Sequence, residues 1–475
     1  PHLRCMSLFP SGHAITAVPT TTTLAVSIPS RSGDAPLRQV RFGAGNCDSV
    51  MDLNVAPIRD VHVSSRNVTV RDVAMFHNQR VCSVVIMTSV SGLTGFSSST
   101  GVVVDITPPL PVFVHEGLMA GTDDDAVSSP ARLDVTFSCK DPESGIHHAE
   151  LRLSRVAYDT GAILQTALDW VEVADLHTSN MSAFTTTLAG LSLVHGEYYV
   201  TTLRCVNGAG AFDDRDSDGF VVDTTVPHGD GARVNHAIHG LHVTVQSNTG
   251  ALEASWSGFV DGDSPVVSFS WGIGTRPHGS DVLPVTKLGP VNVAAASGLD
   301  LSDGVTYYVT VYATNAAGLV ASVSSAGVTV DSSAPSPVSH VQVRTDEPRG
   351  HVGWIASTDR LSVSWDHADD PHTNVTYRWA LGTVIAGQQV VPWTATGTEL
   401  FASATGLDLL PGTRYYVSVE AQNGAGHRVI GTTTVVVDTI PPVAGIVVDG
   451  ANLLHHQVAT SVTTALNCSW GAFSD

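Results

Sequence analysis

Self-similarity at a fixed period constrains a chain more tightly than any single motif, because every copy has to fold into the same unit. Tyr199, Tyr307 and Tyr415 stand 108 residues apart, and so do Asn207, Asn315 and Asn423. Each Tyr opens a run of alternating apolar and polar residues, and each Asn opens an Asn-Gly-Ala-Gly or Asn-Ala-Ala-Gly turn. A Val-Asp pair followed within four residues by Pro closes each copy, at Asp105, Asp223, Asp331 and Asp438. An earlier segment recurs as Leu133–Phe137, Leu252–Trp256 and Leu361–Trp365, with Leu24–Ile28 a fainter copy and Leu466–Trp470 the start of a fifth.

These markers phase the chain into 1–109, a divergent repeat incomplete at its N-terminal side; 110–227; 228–335; 336–442; and 443–475, the start of a further repeat. A chain of 475 residues is too long for one core, and units of about 110 residues are the size of small domains. Along the best copy, Tyr415, Val417, Val419 and Ala421 alternate with Tyr416, Ser418, Glu420 and Gln422. That period of two is a strand with one face in a core. Short strands between frequent turns, with no helical pattern of useful length, predict an all-β tandem array of antiparallel two-sheet sandwiches.

Bulk charge narrows the partners. The formal net charge is −21, which argues against nucleic acid, where phosphates need clustered cations. Only Lys140 and Lys287 are lysines. No run reaches the roughly 18–20 apolar residues that span a bilayer as a helix. The first residue is Pro1, no signal-like segment follows, and Asp475 falls inside a motif, so we expect a piece of a longer, processed protein.

The run Leu409-x-Pro-Gly-Thr-x-Tyr415-x-Val-x-Val-x-Ala-x-Asn423 resembles the E–F corner and F strand of a fibronectin type III domain, with Trp256 and Trp365 matching the strand-B tryptophan of that family. The resemblance implies that Tyr199, Tyr307 and Tyr415 are buried corner residues whose phenols bond back to the chain. The longer signature joins Trp-x-Gly-Phe-x-Asp, Trp-x-Ile-Gly-Thr and Val-Asp-x-x-x-Pro to this run. It resembles tandem repeats of large algal, protist and animal surface proteins, among them mastigoneme-type flagellar filament proteins. It covers the second to fourth repeats well and the first weakly.

Cys139 lies two residues past Phe137, on the inward parity of strand B, and Cys205 on the inward parity of strand F. These strands belong to opposing sheets, so a Cys139–Cys205 disulfide is expected, with two buried thiols as the alternative. Within the first repeat, which also holds Cys5, Cys47–Cys82 is the further candidate; Cys468 reads as inward-facing. Sequons stand at Asn67, Asn180, Asn374 and Asn467, and Pro19 to Thr23 reads as a loop or an O-glycan cluster. Paired cysteines and sequons together point to an extracellular or cell-surface location, flagellar if the mastigoneme resemblance holds.

Asp214, Asp216, Asp218 and Gly219 have the alternation of a calcium loop, but Thr225 stands where the twelfth-position glutamate belongs. A solvated acidic F–G hairpin is the better reading, and no cofactor or metal is expected. The B–C acids Asp141, Asp261, Asp263, Asp366, Asp369 and Asp370 read as turn formers. His236, His239 and His242, and the pairs His147–His148 and His455–His456, have no strand-compatible spacing for a metal clamp. No catalytic motif repeats with the units, so no enzyme activity is expected. The reading is a non-catalytic structural or adhesive extracellular segment forming a semi-rigid rod, with protein partners or identical subunits and glycans as contacts. The alternative is an ectodomain that recognises carbohydrate or protein through its B–C and F–G loops.

Overall fold

The computed structural model describes residues 17–18, 23–27, 36–48, 53–63, 67–119, 121–178, 183–238, 241–344, 353–450, 454, 465 and 467–475. Every regular element among them is a β-strand. No helix among the described residues is long and apolar enough to cross a membrane. The chain parts into two compact units, residues 1–231 with 258–269 and 312–321, and residues 232–257 with 270–311 and 322–475.

The second repeat shows the architecture most fully. One sheet runs in the order Ala126–Val127, Phe220–Val222, Tyr198–Asn207, Ile146–Val156, Ile163–Thr178, with Phe212–Asp216 also paired to Tyr198–Asn207. The other runs Phe184–Ala189, Arg132–Lys140, Leu110–Glu116. Inward side chains of both, among them Leu133, Phe137, Ile146, Leu151, Leu203 and Phe220, form one buried core. The alternating pattern thus does what the period of two requires, placing every second residue between the sheets.

The same five-strand order recurs three more times. It is Ala17–Val18, Val102–Val104, Arg80–Ser89, Leu37–Asn46, Ala56–Val61 in the first repeat. It is Val245–Gln246, Val328–Val330, Thr306–Asn315, Val266–Gly274, Leu283–Gly289 in the third, and Trp354–Ile355, Arg428–Val437, Arg414–Gln422, Thr376–Gly382, Val391–Gly397 in the fourth. Each of these four segments is therefore a sandwich of the fibronectin type III or immunoglobulin-like class. One pairing departs from the all-antiparallel expectation. The short first strand of each sheet pairs with the last strand in parallel, as Ala126–Val127 does with Val221–Val222. In the second repeat, Leu110–Glu116 pairs antiparallel to Arg132–Lys140 before the chain crosses to the other sheet. After that crossing the strand lies beside the last strand running the same way.

The tyrosine corners form as the resemblance implies. The phenol oxygens of Tyr199, Tyr307 and Tyr415 accept the backbone N–H groups of Val194 (3.0 Å), Ser302 (2.7 Å) and Leu410 (2.9 Å). Trp256 and Trp365 are buried. The fifth segment contributes Ile446–Asp449 paired with Cys468–Gly471. Cys468 is exposed there, not inward, and Trp470 is 66% exposed. The physical reason is that this two-stranded pair has no opposing sheet among the described residues to bury one of its faces.

Candidate functional site

Three motifs that are far apart in sequence meet at one place in each of three copies. The last strand of a repeat ends in an aspartate, and Asp105, Asp223 and Asp331 are all fully buried. In the first copy, Asn207 Nδ2 donates to Asp105 Oδ2 (3.0 Å), to the Thr107 carbonyl (2.9 Å) and to Asp141 Oδ2 (3.1 Å). Its Oδ1 accepts the N–H groups of Ala209 and Ala211, which sets the orientation of the amide. Ser144 Oγ donates to Asp105 Oδ2 at 2.6 Å. Asp141 Oδ1 accepts the N–H groups of Glu143, Ser144 and Gly145, the turn-forming role expected of it.

The other copies reproduce this arrangement. Asn315 Nδ2 donates to Asp223 Oδ2 (2.8 Å), Thr225 O (3.1 Å) and Asp261 Oδ2 (3.1 Å), with Ser264 Oγ on Asp223 Oδ2. Asn423 Nδ2 donates to Asp331 Oδ2 (2.9 Å), Ser333 O (2.9 Å) and Asp370 Oδ2 (3.0 Å), with Thr373 Oγ1 on Asp331 Oδ2. Each clamp ties the end of one repeat to the B–C loop and F–G turn of the next. Burial works to raise the pKa of Asp261, but the amides of Asp263 and Ser264, the Asn315 side chain and nearby His228 outweigh it, and the group lies below the ordinary carboxylate value. Asp370 is lowered in the same way, against burial, by Asn423 and by His372 and Thr373. At Asp438, the fourth such aspartate, the side chain is only half-buried and accepts from the Ile440 N–H.

A histidine–carboxylate pair accompanies each clamp. His77 Nε2 lies 4.0 Å from Glu143, and His195 Nε2 lies 3.5 Å from Asp263. In the third copy the residue types exchange sides, with Asp303 3.3 Å from His372 Nε2. Such partly exposed pairs contribute little on their own. Two groups able to converge on a metal ion lie at the clamps, Asp105 with Asp141 and Glu143, and His195 with Asp223 and Asp263. In the first, every oxygen of Asp105 and Asp141 already receives an N–H or O–H donor.

Cys139 and Cys205 are joined across the two sheets (Cα–Cα 6.1 Å), and Cys47, in the turn just past Leu37–Asn46, is joined to Cys82 of the neighbouring strand Arg80–Ser89 (4.9 Å). The acidic stretch is not a hairpin loop: Phe212–Asp216 is an exposed strand, and the tight turn is Gly208-Ala-Gly210. On that strand Asp214 is bound by Arg204 (2.7 and 2.8 Å), and Asp216 accepts from Thr202 Oγ1. Two residues on, Asp218 instead joins Glu116 and Asp123. Of the sequons, Asn374 and Asn467 are exposed. Asn67 begins a strand, its side chain lying outside the described residues together with Asn180. Cys5, His239, His455, His456 and residues 19–22 also lie outside them.

One buried position was invisible as a functional candidate. In the second repeat Glu116 is fully buried, and its Oε1 accepts from Thr201 Oγ1 and Ser217 Oγ. Burial pushes its pKa up from 4.5 to about 7 against those two hydrogen bonds, with Asp123 adding to the rise. The equivalent residue of the third repeat is His236, whose Nε2 pairs with Ser325 Oγ at 2.7 Å. Burial pushes that imidazole down from 6.5 to about 4, with His242 adding to the fall. Only the register Val114-His-Glu116 against Val234-Asn-His236 could have aligned the two from sequence.

Comparison with known proteins finds no matching family and no curated relative. Among solved structures, the FN1–FN3 domains of chicken CNTN1 share 14% identity, over 70% of this chain and all of that chain, at a TM-score of 0.28. A tetra-tandem repeat from the extending region of a large adhesion protein shares 16%, over 90% and 98%, at 0.28. A Ca2+-stabilised, ice-binding adhesin of an Antarctic bacterium shares 14%, over 88% and 94%, at 0.27. The fold assignment rests on the strand orders and corners described above.

Proposed function

We propose that this chain is a non-catalytic structural or adhesive segment of an extracellular surface or filament protein, its repeats held as a semi-rigid rod. The observation that carries this reading is the clamp, built three times from the same residue types. A Pro-bearing linker alone restricts rotation. Burying Asp105, Asp223 and Asp331 under the loops of the following repeat restricts it further, because swinging the repeats apart would strand buried carboxylates without donors. The repeat boundaries near residues 109, 227, 335 and 442 belong to this proposal. The two disulfides support an oxidising, extracellular compartment. Assembly with identical subunits or glycoprotein partners, in a mastigoneme-like filament on a flagellar surface, is the finer form, supported by the longer repeat signature alone.

The clamps also bear on loop-mediated recognition. Asp141 and Asn207 are both 1% exposed, so these two positions of the B–C and F–G loops of the second repeat are taken up by the clamp, while Pro142 and Gly210 stay exposed. Small-angle scattering of the full chain tests the proposal. An elongated particle is expected, which becomes more flexible when Asn207, Asn315 and Asn423 are together changed to Ala. A compact globule, or no change in flexibility in that variant, overturns it.

A further inference from the structure

The crossover that precedes Ala126–Val127 in the second repeat carries Asp123, Asp124 and Asp125. One carboxylate oxygen each from Glu116, Asp123 and Asp218 lies within 4.8 Å of the other two. Acidic clusters on a surface are common and mean little alone. This one has a member that needs a partner: Glu116 is fully buried, and while Oε1 is held by Thr201 and Ser217, Oε2 has no hydrogen-bond partner. An unpaired buried carboxylate oxygen is costly, whereas a cation would satisfy it. From these observations we propose that Glu116, Asp123 and Asp218 form a cation site in the second repeat, selective for a hard divalent ion such as Ca2+.

The donor set decides the chemistry. Three carboxylates with no thiolate suit an oxygen-seeking ion, and the remaining coordination would be completed by water and carbonyl groups. Hydrogen bonds position two of the ligands. Asp123 Oδ1 accepts the Glu116 N–H at 2.9 Å, and the Tyr198 hydroxyl donates to the Asp218 carbonyl. The nearest ion-pair partner, His115 Nε2, is 3.9 Å from Asp123 Oδ2. A cleft of about 500 Å³ lined by Asp125, Tyr198, Asp218 and Gly219 borders the cluster at Asp218.

The other repeats serve as internal controls. In the third, His236 replaces Glu116 and Ala326 stands where Asp218 does, so two of the three ligands are lost together. In the first, Thr100 takes the Asp218 position. The site belongs to the second repeat, and it differs from the Asp214, Asp216, Asp218 loop suggested by spacing, sharing only Asp218 with it.

The test uses the full chain, stripped with chelator and titrated with CaCl2, with terbium as a luminescent probe beside Tyr198. Expected for the native chain are saturable terbium luminescence displaced by Ca2+ and a rise of about 5 °C in the first unfolding transition at millimolar Ca2+. Asp218→Ala, which installs the third repeat's residue, and Glu116→Gln, which keeps the acceptor for Thr201 and Ser217, should each lose both signals while staying folded. Absence of binding by the native chain, or both signals persisting in both variants, overturns the site.

Discussion

The second and third repeats build the same frame around opposite interiors. Both have the five-strand sheet, the tyrosine corner and the clamp. The second has Phe137 and a cross-sheet disulfide; the third has Trp256, with Gly258 and Ala313 where Cys139 and Cys205 would stand. At the buried position beside the conserved-in-register Ser217 and Ser325, one repeat holds a carboxyl and the other an imidazole. Positions that set chain direction or join neighbours stay the same between the copies. Positions that only fill or cross-link an interior change together, because a core tolerates exchange when volume and polarity are balanced.

The comparison breaks first at the cross-link. Replacing Cys139 and Cys205 by Ala should lower stability by about 4 kcal/mol, the entropy of a 66-residue loop. Denaturant unfolding should show the loss in the transition of the second repeat while that of the third stays put. An unchanged second-repeat transition would mean that the bridge is not what distinguishes the interiors.

Acidity should separate the repeats next, in opposite directions. The folded Glu116 pKa of about 7 lies above its ordinary 4.5, so its contribution is complete below pH 4.5 and is lost as pH rises through 7. The folded His236 pKa of about 4 lies below its ordinary 6.5, so its contribution is complete above pH 6.5 and is lost as pH falls through 4. Each swing is worth about 3 kcal/mol. Melting in chelator from pH 4 to 8 should therefore weaken the second repeat towards neutrality and the third towards acid. Glu116→Gln and His236→Gln should each flatten their own profile, and parallel profiles would refute the assignment.

Clamp variants should treat the two repeats alike. Asn207→Ala and Asn315→Ala each leave two carboxylates and a carbonyl short of a donor, at a cost of about 2 kcal/mol, read by denaturation together with faster amide exchange around Thr107 or Thr225. A large cost in one copy and none in the other would show that the clamps are not equivalent. The smallest effect should come from Tyr199→Phe and Tyr307→Phe, about 1 kcal/mol each through the lost acceptor for Val194 and Ser302. Equal melting shifts are the expected reading.

Much of this was legible in the residues. The 108-residue spacing, the alternation along Tyr415–Ala421 and the turns after each Asn determine repeat number, strand type and the inward face, because period and turn chemistry are local properties of the backbone. Parity likewise placed Cys139 and Cys205 within reach of each other. The B–C aspartates were legible as turn formers, yet only through one oxygen each. That their second oxygen meets an Asn 53 to 66 residues away, which also binds an Asp from the preceding repeat, is a long-range fact with no local signature. The same holds for Asp218. Its neighbours in sequence suggested a loop, but strand pairing consumed Asp214 and Asp216 and turned Asp218 towards Glu116. Sequence determined what each segment becomes; only packing decided which charged groups share a buried space, since burial and partnership depend on atoms the chain brings together from afar.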